Sequence, residues 1–104
     1  MSVTLSRDRK IMQITRAIAI VQSKLYSIPS AKEVGEMAVR AAEKRVRSEL
    51  QRDLGARFNF GSDGKYHVQM AGVGSCNVDD GTALYRRWQI DANRKIQMMK
   101  AVAA

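Results

Sequence analysis

The chain of 104 residues carries 18 Lys and Arg against 10 Asp and Glu, a net charge of +8, and 45% of its residues are apolar. That length holds one hydrophobic core and not two, and the apolar content with a single Pro argues against a disordered tail. The charge favours an anionic partner, either nucleic acid, a phospholipid surface or an acidic protein.

No basic tail accounts for the charge, because 11 basic residues face 6 acidic ones up to Gly55 and 7 face 4 after it. One Cys cannot close an internal disulfide, so the fold does not rely on an oxidising compartment. A cytoplasmic location, or one within an assembled particle, is expected. No signal peptide is evident, and the most apolar run, residues 11–22, is interrupted by Arg16 and falls far short of the ~20 residues of a spanning helix.

The first helix is predicted over residues 7–27. Ile11, Ile14, Ile18, Val21 and Leu25 recur at alternating spacings of three and four, the pattern that lays one helix against another. Residues 7–27 are also basic and amphipathic, as an organelle transit peptide is, but Asp8 and the continuous stripe favour a structural helix. Pro29 stops this helix, and Ser30 with Glu33 three residues later reads as a capping box opening a second, over 31–54. Gly55 stands where a left-handed C-cap belongs. The short connection predicts that these two helices are antiparallel neighbours.

The second helix is the most basic segment. The i,i+4 pairs Glu36/Arg40, Glu43/Arg47 and Arg45/Glu49 predict that its cations are neutralised on a solvated face. A helix-turn-helix has similar apolar spacing, but no Gly, Asn or Ser interrupts the stretch between Met37 and Arg47, so one continuous helix is preferred.

A β-hairpin is predicted over 57–70. Phe58 and Phe60 alternate in its first strand, residues 61–64 supply the turn, and Tyr66, Val68 and Met70 alternate in its second. These apolar side chains are expected on the helices, with His67 on the polar side. Residues 71–78, with Gly72 and Gly74, are expected to form a flexible linker. The last helix is predicted over 79–102, opened by Asp79 and Asp80 and carrying an inner stripe of Leu84, Trp88, Ala92, Ile96, Met99 and Val102, with Asp91 pairing to Lys95.

Chemistry-bearing motifs are weak. His67 and Cys76, the only His and the only Cys, could form a nucleophilic dyad, but no orienting group or signature surrounds them. Zinc would need two further ligands from Asp63, Asp79 and Asp80, and residues 77–88 lack the ligand spacing and closing Glu of a calcium loop. Residues 72–74 continue into neither a dinucleotide fingerprint nor a P-loop. No catalytic residue, metal ligand, cofactor or small-molecule substrate is therefore expected, and the chain is expected not to be an enzyme.

The expected fold is mainly α with a small β-hairpin, in the order α-α-β-β-α. The first functional expectation is a structural or assembly subunit of a multi-chain complex, of virion or secretion type. Such a subunit would pack on copies of itself or on other subunits through Ile11, Ile14, Ile18, Val21, Leu25, Leu84, Trp88, Ile96 and Met99. The alternative is a basic nucleic-acid-binding protein that contacts phosphates, without strong sequence specificity, through Arg40, Lys44, Arg47, Arg86, Arg87 and Arg94.

Overall fold

A computed structural model describes residues 3–102, with side chains from Ser6 onward. The elements are α1 (Val3–Tyr26), α2 (Ala31–Val34), α3 (Glu36–Leu54), β1 (Arg57–Phe60), β2 (Tyr66–Met70), β3 (Val73–Asn77) and α4 (Thr82–Val102). The protein is mainly helical, with helices, then an antiparallel sheet, then a C-terminal helix.

The helix expected over 31–54 is broken at Gly35, while the stretch from Met37 to Arg47 runs unbroken within α3. Gly35, at φ 85° and ψ 161°, occupies backbone territory that only glycine enters freely, and its N–H closes the single turn of α2 on the Ala31 carbonyl at 2.7 Å. Ser30 caps that turn by accepting the Lys32 N–H at 3.2 Å. No reciprocal bond from the Glu33 side chain occurs among the described residues. At the other end Gly55 is left-handed, as its position requires.

The expected linker also holds a strand. Ala71 and Gly72, at φ 53° and 75°, make a two-residue turn between Met70 and Val73, and β3 pairs antiparallel with β2 to give the order β1-β2-β3. Positive φ at both central residues matches the twist of the flanking strands. β3 lacks a visible apolar alternation because one of its inward positions is Ser75, whose hydroxyl donates to the Asp91 carboxylate of α4.

One core runs through the described residues. Ile14, Ala17 and Val21 of α1, Val46 and Leu50 of α3, Val68, Met70 and Val73 of the sheet, and Leu84, Tyr85, Trp88, Ala92 and Ile96 of α4 are all buried in it. The Trp88 indole N–H donates to the Val73 carbonyl at 3.1 Å, which satisfies the one polar atom of the largest core side chain.

The helix that covers most of α1 is α4, not its neighbour in sequence. Gln89 of α4 donates to Gln22 of α1 at 2.9 Å. α3 meets α1 less extensively, and near the end of α1 Lys24 pairs with Glu49 at 3.3 Å and Asp53 at 3.5 Å. All nine residues expected to form a helix-packing surface pack within the chain. Ile14, Val21, Leu84, Trp88 and Ile96 are buried, and Ile11, Ile18, Leu25 and Met99 are half-buried against them. Val102, expected on the inner stripe, is exposed.

Candidate nucleic-acid interface

Arg40, Lys44 and Arg47 follow one another at spacings of four and three, so they share one face of α3 over about 10 Å of helix. Arg40 and Lys44 are exposed, and Arg47 is half-buried because its guanidinium lies 4.6 Å from the centre of the Phe58 ring. A guanidinium over an aromatic face keeps its charge and its donors while losing freedom of motion.

The neutralisation expected from sequence does not occur here. Among the described residues none of these three cations makes an ion pair, and of the three expected i,i+4 pairs only Arg45 with Glu49 forms, at 3.9 Å. Glu43 is drawn off by α4, where its carboxylate accepts both the N–H and the hydroxyl of Thr82 at 2.7 Å. A carboxylate at this position caps orphan donors and sits at the positive end of the α4 dipole, and both effects outweigh a solvated pair with Arg47. The Tyr85 hydroxyl fastens the same junction by donating to the Glu43 carbonyl at 3.1 Å. Burial, with Asp80 and Glu43 nearby, pushes the Tyr85 phenol well above its ordinary range, so it remains a donor.

The three cations line a concavity of about 840 Å³ together with Glu43 of the same helix, Tyr66, Tyr85 and the Asp79, Asp80 and Gly81 stretch before α4. α4 begins at Thr82, three residues later than expected, so both Asp residues lie before the helix instead of in its first turn. The other three expected phosphate contacts are scattered. Arg86 lies beside Gln22 and Tyr26, Arg87 is paired with Asp91 at 3.3 Å, and Arg94 lies near Met98 and Val102. Lys95, the expected partner of Asp91, donates instead to the Gly72 carbonyl at 2.9 Å.

Phe60 departs from the expected packing. Phe58 is half-buried, edge-on to Tyr85 at 6.2 Å, but Phe60 at the end of β1 is 62% exposed. It forms an edge-to-face pair with Tyr66, with centroids 4.9 Å apart and planes at 63°. Phe60, Tyr66 and Arg47 border one small hollow, which continues the cationic row toward the sheet.

Among the described residues no helix packs on the other side of the sheet. Strand register sets Asn59, His67 and Cys76 in one row and Arg57, Gln69 and Gly74 in the next. His67 Nε2 lies 3.0 and 3.1 Å from the two carboxylate oxygens of Asp63, four residues back across the hairpin turn, a residue that the sequence suggests only as a metal ligand. A side chain on Gly61 would collide with both, 2.6 Å from Asp63 Oδ1 and 2.7 Å from His67 Nε2. No hydrogen bond joins His67 to Cys76 among the described residues, so the ring is engaged at the turn.

The His67 ring first, and the Lys65 N–H second, hold the Asp63 carboxyl below its ordinary range. A depressed carboxylate contributes stability that is present above its unfolded pKa and is lost as pH falls through the folded value, here at and below about pH 4. His67→Ala is expected to raise the Asp63 pKa toward that of a free side chain, read by NMR titration of its carboxyl carbon. An unchanged value would mean that the ring does not meet the carboxylate in solution.

No group of three or more His, Cys, Asp or Glu side chains is placed to hold a metal ion among the described residues, and no helix there is long and apolar enough to cross a membrane. Compared with known protein families, curated proteins and solved structures, the chain matches none.

Proposed function

We propose that this protein is a non-enzymatic nucleic-acid-binding protein that holds the phosphate backbone along α3 without strong sequence specificity. The observation that carries this reading is the row Arg40, Lys44 and Arg47, three cations on one helix face with no acidic partner among the described residues. Phosphates held by such a row release condensed counterions, which makes binding favourable and dependent on salt. Base reading needs several donors and acceptors projected together into a groove, and α3 otherwise contributes Met37, Ala41 and Glu43 here, the last with its carboxylate engaged by Thr82.

The test is a titration with labelled oligonucleotides of unrelated sequence. Three phosphate contacts, at a slope of about −0.9 each, weaken binding about 40-fold between roughly 50 and 200 mM salt. Arg40→Glu with Arg47→Glu is expected to remove most of the affinity and most of that salt dependence. Binding that ignores salt and selects one sequence, or no binding at low salt, would contradict the proposal.

A second reading, a structural or assembly subunit of a multi-chain complex, is favoured by a different surface. Met98 and Val102 are exposed on the last turns of α4 and form an apolar groove with Val73 and Met99, edged by Arg94 and Lys95. Under this reading Met98→Glu lowers the mass in solution without loss of folding. A wild-type chain that is monomeric at low and high salt argues against self-assembly.

A further inference from the structure

We infer that the α3 surface takes single-stranded nucleic acid in preference to duplex, with Phe60 as the platform on which a base stacks. The inference rests on the phosphate-binding reading and adds to it the class of nucleic acid and the residue that selects it.

Phe60 is a large aromatic ring left 62% exposed at a strand end, and it packs against the Tyr66 ring with centroids 4.9 Å apart and planes at 63°. Tyr66 in turn borders the same concavity as Arg40, Lys44 and Arg47, and Arg47 is itself held on the face of Phe58. Cations and a ring therefore form one continuous strip, with the ring at the sheet end of the cationic row. That is the pairing single strands need, since the cations follow the backbone while an exposed π-face receives an unstacked base. A duplex keeps its base faces stacked on each other and offers none to Phe60.

Asp79 and Asp80 also line the concavity, and Asp80 borders the hollow beside Phe60 as well. The Asp80 carboxylate is turned onto the Gly81 N–H at 2.8 Å, and Asp79 makes no side-chain hydrogen bond among the described residues. Their charges repel a phosphate backbone and bias it toward the cations of α3. Removing one of them is accordingly expected to tighten binding, a gain that damage to the fold does not imitate.

The experiment measures affinity at low salt for a labelled single-stranded oligonucleotide and for the matched duplex. Phe60→Ala is expected to weaken single-strand binding about tenfold and duplex binding much less. Phe60→Leu, which keeps apolar bulk without a π-face, is expected to behave like Phe60→Ala, and Phe60→Trp to retain binding. Asp79→Asn is expected to strengthen binding of both. If charge reversal on α3 weakens binding but the Phe60 variants bind both forms as wild type does, stacking is overturned and phosphate binding stands. A preference for duplex overturns the inference in the same way. If charge reversal also has no effect, the phosphate reading itself fails.

Discussion

Ile14→Asp is expected to leave the chain unfolded or barely folded at 25 °C. Ile14 is 3% exposed in a core shared with Trp88 and Ile96, and α4 is the helix packed along α1. Removing the apolar side chain alone costs about 2 to 5 kcal/mol. A carboxylate without a partner in the same space adds its own desolvation cost, for a total above about 5 kcal/mol. That is comparable with the whole stability of a small domain, about 5 to 15 kcal/mol. Met12, two residues away and 72% exposed, is the control. Met12→Asp should stay within about 0.5 kcal/mol of wild type. Urea denaturation followed by circular dichroism reads both, and a cooperative Ile14→Asp transition at the wild-type midpoint would mean that α1 does not pack on α4.

Gly81→Ala is expected to cost about 2 to 4 kcal/mol, from two sources that a double-mutant cycle separates. Gly81 has φ 72°, where a side chain is strained by about 1 to 2 kcal/mol. Its Cβ would also stand 2.4 Å from the Glu43 carboxylate. That carboxylate ends a flexible side chain and can move, but moving it breaks its bonds to the Thr82 N–H and hydroxyl. Losing the cap adds about 1 to 2 kcal/mol, the same cost expected for Glu43→Ala alone. With Glu43 already truncated the new methyl has room, so the double variant should lose less than the two singles together. Strict additivity would show that Glu43 does not cap α4.

Much of the fold is legible in sequence because its signals are local. The stripe from Ile11 to Leu25, the stop at Pro29, the cap at Gly55 and the alternation around Phe58 and Val68 each follow from backbone geometry or from a one-sided core. The failures are tertiary. Spacing declares that α1 has an apolar face but not that α4 covers it. The strand at 73–77 is hidden because Ser75 replaces an inward apolar residue and only Asp91, far along the chain, makes that tolerable. Gly35 was visible, yet a lone glycine near a helix start gives no warning that the chain takes φ 85° there.

The candidate site divides along the same line. Arg40, Lys44 and Arg47 are a row by spacing alone, whereas the lack of an acidic partner at Arg47 depends on Glu43 leaving for Thr82, which i,i+4 reasoning does not foresee. Arg86, Arg87 and Arg94 carry the same charge in sequence, but α4 points them toward three separate surfaces. Phe60 reads as core in an alternating strand. It is exposed because Tyr66, and not a helix, is what meets it.

Backbone amide shifts in a nitrogen–proton NMR spectrum, followed while a short single-stranded oligonucleotide is added at low salt, test the central claim most directly. Progressive changes should gather at Arg40, Lys44, Arg47, Phe60 and Tyr66 and fade when salt is raised. Changes confined to α1 and the last turns of α4, or a spectrum that does not move at all, would contradict it.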